Sequence, residues 1–143
     1  MESDYWRHNF QDQLIAVTGN ANLKAIVRRM DGSQQYFDGA GKDFYNGAGA
    51  ADRLEDLGAA GWRITRSDHE VELYDVSGRL TSRTARSGLA QVLSYDASGR
   101  VSTVTDSFGN ALVFGYNTDN QLVTLTVPGG QLIAYGYDSR RRL

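Results

Sequence analysis

Apolar and polar residues alternate with a period of two along the C-terminal part of the chain. In ALVFGY (111–116), Leu112, Phe114 and Tyr116 fall on one side, and in QLIAYGY (131–137) Ile133, Tyr135 and Tyr137 do the same. Such alternation predicts β-strands with one face toward a core. The intervening runs RLTSRTA, RVSTVTD and QLVTLTV predict partner strands. One face of the resulting sheet carries Leu, Phe and Tyr, and the other Ser, Thr, Ala and Gly. Stacked neighbours then have to share the burial that no single hairpin achieves. About eight strands are expected from Trp62 onward, in a simple antiparallel meander.

The pattern repeats at fixed length. Tyr74, Tyr95, Tyr116 and Tyr137 stand 21 residues apart and open the blocks YDVSGRL, YDASGRV, YNTDNQL and YDSRRRL. Gly88, Gly109 and Gly130 keep the same spacing. Self-similarity at this period is the mark of a repeat architecture. Twenty-one residues accommodate strand, tight loop, strand and second turn. After each strand an aspartate (Asp75, Asp96, Asp138) can bond backbone two residues on and start a turn. Gly78 and Gly99 then take the loop position that needs φ > 0, and Asn120 is the next best residue there. This register would set Tyr74 opposite Arg79 and Tyr95 opposite Arg100, with the guanidinium stacked on the ring. The second turns, ARSGL, DSFGN and VPGGQ, read as looser, with Pro128-Gly129 suited to the centre of a type II turn.

Residues 1–60 lack the period. LKAIVRRMDGSQQYFDG reads as a hairpin with Ala25 to Arg29, an Asp31-Gly32 turn and Gln34 to Phe37. DRLEDL, inside a glycine- and alanine-rich stretch, fits either a helical turn or a short strand. The expected organisation is an irregular N-terminal β region, 1–60, followed by a repeat sheet, 61–143. The fold class is all-β: a curved antiparallel meander of 21-residue hairpins.

Composition narrows the function classes. The net charge is −2, so no broad field draws in nucleic acid. Cysteine is absent, which excludes disulfides and thiolate sites. MESDYWRHNF has no apolar core of a signal peptide, and no apolar run is long enough to span a membrane as a helix. His8 and His69 are isolated, so no metal site is expected. Most aspartates sit in turn positions. GAGKD (39–43) falls short of a phosphate loop, because Tyr36 replaces its first glycine and Asp43 its Ser or Thr. No G-x-S-x-G elbow occurs. No enzyme activity and no cofactor are expected. Recurring Tyr and Arg point to a framework, since a framework is rebuilt in every unit and a binding site need not be.

Tyr-Asp-x-x-Gly-Arg-Leu at this spacing resembles the YD repeat of Rhs proteins, a repeat type shared with insecticidal toxin-complex components and teneurins. GWRITRSDHEVELYDVSGRL also resembles the segment leading into the repeats of bacterial Rhs proteins. The chain departs from the pattern at Asn117, Asn120 and Gln121 and at Arg140 to Arg142, so differently shaped loops are expected there. The resemblance implies a non-enzymatic segment of a bacterial, exported or cell-surface shell that encloses a toxin or other cargo. Its partners would be further YD units of a larger Rhs protein. The structural residues carried over are Tyr74, Asp75, Gly78, Arg79, Tyr95, Asp96, Gly99, Arg100, Tyr116, Asn120, Tyr137 and Asp138. The alternative is a binding module that takes a glycan or a protein on its sheet face or free edge. The chain ends within a YD loop, so it reads as a piece of a longer array. QLIAYGY would then be an outer strand free of Lys and Pro, and self-association through it is expected.

Overall fold

The computed structural model describes residues 10–39, 43–45 and 52–143. The GAGKD motif lies partly, and the stretch 46–51 wholly, outside the described residues. Contacts group the chain into two compact units, residues 1–90 and 91–143. The change in sequence pattern near residue 60 is one of periodicity; compaction divides at another point.

The first unit runs β1 (Gln13–Ala16), β2 (Leu23–Arg28), β3 (Gln34–Asp38), β4 (Asp43–Tyr45), β5 (Arg53–Asp56), a 3-10 turn (Gly58–Ala60), β6 (Trp62–Thr65), β7 (Val71–Tyr74) and β8 (Leu80–Thr84). Each strand pairs antiparallel with the next. DRLEDL therefore resolves as strand β5, paired to β4 and β6, followed by the 3-10 turn. The core is Leu14, Ala25, Val27, Phe37, Leu54, Ile64, Tyr74 and Leu80. These are mainly branched and aromatic side chains, which pack well on a pleated surface.

The second unit runs β9 (Ala90–Tyr95), β10 (Val101–Asp106), β11 (Ala111–Tyr116), β12 (Leu122–Thr126) and β13 (Leu132–Ala134), again an antiparallel meander. Leu93, Val101, Val104, Phe114 and Leu122 are buried. The last strand is shorter than QLIAYGY suggests. Beyond Ala134 the pairing continues through one bond, from the Tyr135 amide to Val123 O at 2.9 Å. Among the described residues no helix is long and apolar enough to cross a membrane.

Three features correct the register read from sequence. The YD loops hold five residues, one more than a Tyr74–Arg79 pair allows, so that Tyr74 faces Leu80, Tyr95 faces Val101 and Tyr116 faces Leu122, and a register shift follows each of these pairs. The tyrosines are therefore not opposite Arg79 and Arg100. The shifts leave Thr81, Ser102 and Val123 as the extra residues of β-bulges, themselves 21 apart, which increase local twist. Moreover, the second turns are not looser than the first. One five-residue turn recurs at 66–70, 75–79, 85–89, 96–100, 106–110, 117–121, 127–131 and 138–142. In each, the first residue's amide donates to the fifth residue's carbonyl, and the fourth residue's amide donates back to the first. The fourth residue has φ > 0 throughout, whether it is a glycine, His69, Asn120 or Arg141. The loops 117–121 and 138–142 thus have the common shape despite their departing sequences.

Candidate functional site

The YD turn is built by its aspartate. Asp75 accepts the Ser77 amide (2.9 Å) and the Arg79 amide (3.0 Å) on Oδ1, and Arg79 Nε (2.8 Å) on Oδ2. Asp96 does the same with Ser98 and Arg100, and Asp138 with Arg140 and Arg142. Each pair closes with a guanidinium contact at 2.7 Å. The arginine of the motif is thus the clasp of its own loop. Versions without the arginine are built alike: Asn117 takes the amides of Asp119 and Gln121 and bonds the Gln121 side chain, and Asp106 takes the amides of Phe108 and Asn110 and the Asn110 side chain. The bonds from the Arg100 side chain and amide hold the Asp96 carboxyl below the usual carboxylate range. The Asp138 carboxyl is held down likewise by Arg142, and that of Asp106 by Asn110. At Asp75 burial acts upward, and the Arg79 bonds outweigh it.

The tyrosines have a different partner from the one expected. Tyr116 donates its hydroxyl to Val101 O, and Tyr137 donates to Leu122 O, both at 2.8 Å. Each phenol therefore satisfies the carbonyl of the residue just before the bulge of the preceding hairpin. Arg100 stacks on Tyr116 of the next unit, 4.6 Å from the ring centre, and its Nη1 donates to Asn120 at 2.9 Å. Burial pushes the Tyr116 phenol up to about 12. Tyr95 lies half-buried on β9.

Tyr74 belongs to another arrangement, which sequence reasoning missed. Inside the first unit, Arg29, just past β2, points its Nη1 at both carboxylate oxygens of Glu72 (2.8 Å each) and at Asp12 Oδ2 (2.9 Å). Tyr74 donates to Glu72 at 2.9 Å and accepts from Arg29 at 3.3 Å. Arg83 on β8 reaches Asp12 at 2.9 Å, and Arg66 reaches Glu72 at 3.3 Å. Gln35 takes Arg29 Nε at 2.9 Å and hands on to Asp52, which also accepts the Ser67 amide. Asp12, Arg29, Asp52 and Glu72 are all buried, Glu72 completely. Buried charges survive when paired, and here Asp12 and Glu72 meet the guanidiniums of Arg29, Arg66 and Arg83, while Asp52 joins through Gln35. Burial, reinforced by Glu72, lifts the Tyr74 phenol well above its ordinary value, so it remains a donor. Burial alone would lower the Arg29 pKa, but the Glu72 and Asp12 carboxylates raise it, so it remains charged. The cluster is an ionic core whose groups are engaged with one another.

A signal for this core was present in the columns of the repeat. Glu72 shares its 21-residue column with Leu93 and Phe114, and Arg83 shares its column with Val104 and Leu125. Leu93, Phe114 and Val104 are buried apolar residues. A charge standing in an otherwise apolar column marks a polar interior. Among the described residues no group of three or more His, Asp or Glu could hold a metal ion.

Comparison with known sequences bears on the repeat itself. Residues 74–111 match the RHS Repeat family. Comparison with curated proteins gives no match. The matched residues begin at Tyr74 and contain both Asp-x-x-Gly-Arg clasps, at 75–79 and 96–100, so this stretch of the chain is an Rhs/YD repeat.

Proposed function

We propose that this chain is a non-enzymatic wall segment of a larger, exported bacterial Rhs protein, which together with further YD units encloses a toxin or other polypeptide cargo. The observation that carries this reading is the reuse of one turn. The same two backbone bonds and left-handed fourth residue are rebuilt eight times from 66–70 to 138–142. The Asp and Arg of the motif are consumed in building it, and the hydroxyls of Tyr74, Tyr116 and Tyr137 are engaged within the chain. A recurrent, self-satisfied ribbon suits a wall that must extend by identical steps. β13 suits that extension: Leu132 and Ile133 are exposed there, and the strand holds no Lys or Pro that would block pairing with a further YD unit.

The test is protection. The full-length protein that carries this segment is expressed with its cargo and treated with protease. Cargo that survives in the intact assembly, and is digested once the assembly is opened by denaturant, supports a wall. Cargo digested at the rate of the free polypeptide overturns it. Saturable binding of one glycan to this segment would favour the binding module instead.

A further inference from the structure

β1 has hydrogen bonds on both of its edges. Toward β2 its register runs from Gln13↔Arg28 to Ala16↔Ala25. On the other side the Leu14 amide donates to Gly78 O at 2.8 Å, and Gln13 bridges Arg79. The outward amide of an edge strand is the group that recruits foreign backbone. Here it is engaged by the YD turn 75–79 of the same unit. The sequence of β1, QLIA, offers none of the usual protections: no charge, no proline and no bulge.

Its position is fixed from the residue that precedes it. Asp12 Oδ2 accepts Arg29 Nη1 from the end of β2 and Arg83 Nη2 from β8, both at 2.9 Å. Its Oδ1 accepts the Met30 amide at 2.9 Å. One carboxylate therefore ties the entry of β1 to elements on both sides of it. The turn is fitted to the strand as well. A Cβ built on Gly78 would lie 1.8 Å from Leu14 O, whereas at Gly88, Gly109 and Gly130 it would meet nothing within 4 Å.

We propose that Asp12, Arg29 and Arg83 form an edge lock, which holds β1 against the YD turn 75–79 and so closes that edge of the first unit to a strand from a second copy of this chain. Sheets commonly protect an edge with charges on the edge strand itself. This chain uses a buried ion pair one residue ahead of the strand.

Hydrogen exchange and light scattering on the whole chain test the lock, in an Ile133→Lys background that removes pairing through β13 as a source of mass. Asp12→Asn keeps the shape and loses the charge; Gly78→Ala presses on the Leu14 carbonyl. Both should speed exchange of the Leu14 amide by about tenfold or more, with β10 and β11 amides unchanged. Both should also add a dimer at concentrations where the background protein is monomeric. A Leu14 amide as protected as in the background overturns the lock, as does opening without added mass. Should a variant fail to fold, native-state exchange of the unaltered chain decides. Protection of Leu14 equal to that of Val27 in β2 supports the lock, and near-free exchange overturns it.

Discussion

Tyr74–Leu80 and Tyr95–Val101 are spelled almost alike and fold into the same bulged hairpin with the same aspartate–arginine clasp. Their surroundings differ. In the first unit Tyr74 is fully buried and its hydroxyl enters an ionic core, while Gly78 receives a strand on its carbonyl. In the second unit the repeated tyrosines Tyr116 and Tyr137 cap a neighbouring carbonyl, and Gly99 is exposed. The motif therefore specifies a turn and leaves the use of its tyrosine to the columns around it. Two residues before the tyrosine stands Glu72 in one case and Leu93 or Phe114 in the others. That choice decides whether the interior is ionic or apolar.

The largest effect should come from erasing this difference. Glu72→Leu writes the second unit's residue into the first, yet it leaves Arg29 buried without its main partner. It should cost about 3–5 kcal/mol of the first unit's stability by urea denaturation, the range for breaking a buried pair. Replacing Asp12, Arg29, Glu72 and Arg83 together with apolar residues should recover part of that loss, because Arg29 is no longer left buried without its partners, while Asp52 keeps Gln35 and the Ser67 amide. A smaller contrast separates the two kinds of tyrosine. Tyr74→Phe removes a bond to a carboxylate and should cost about 1.5–3 kcal/mol, against about 0.5–1.5 kcal/mol for Tyr116→Phe, which removes a bond to a carbonyl. Equal losses would mean that the two environments hold the ring alike.

Acid should weaken the clasps selectively. The carboxyls of Asp75, Asp96, Asp106 and Asp138 titrate below their unfolded range in the folded chain. Their contribution is therefore present above about pH 4, the unfolded value, and is lost as pH falls through the folded values. The urea midpoint should be flat down to about pH 5 and fall below about pH 4. Asp96→Asn should flatten part of that fall and keep the turn, since Asn117 already builds the same loop without a charge. The smallest expected change is a gain. Arg141 has φ 62 in the glycine position, so Arg141→Gly should raise the urea midpoint by the equivalent of about 0.5–1 kcal/mol. In contrast, Gly99→Val, at φ 76, should lower stability by more than ~1 kcal/mol.

Much of the fold was legible because its information is local. Strand periodicity, the 21-residue step and the turn aspartates lie within a few residues of the structures they make. The bulges at Thr81, Ser102 and Val123 were not legible, since an extra residue in a strand leaves composition and spacing unchanged. The tyrosine register is set one position further on by the fifth residue of the loop, and the bulge shifts the strand pairs beyond it once more. The second turns share the five-residue length of the first: Ala85 and Val127 cannot bond the loop as aspartate does, yet the backbone takes the same course. The ionic core draws on residues 12, 29, 52, 72 and 83, which no window along the chain unites. The anomaly of Glu72 and Arg83 in apolar columns was its one trace.

The spacing of the turns also bears on how such a gene can change. From Asp75 onward the turns begin at 75, 85, 96, 106, 117, 127 and 138, alternately ten and eleven residues apart. Each step reverses the direction of the chain. Unequal crossing-over that removes one strand and its turn would reverse every strand after the junction and carry the Asp–Arg loops to the opposite margin. Removing or adding 21 residues restores direction, bulge and phase together. Copy number in a ribbon of this kind should therefore drift in pairs of strands, and the protein can lengthen or shorten by mutation without any intermediate whose downstream half is inverted.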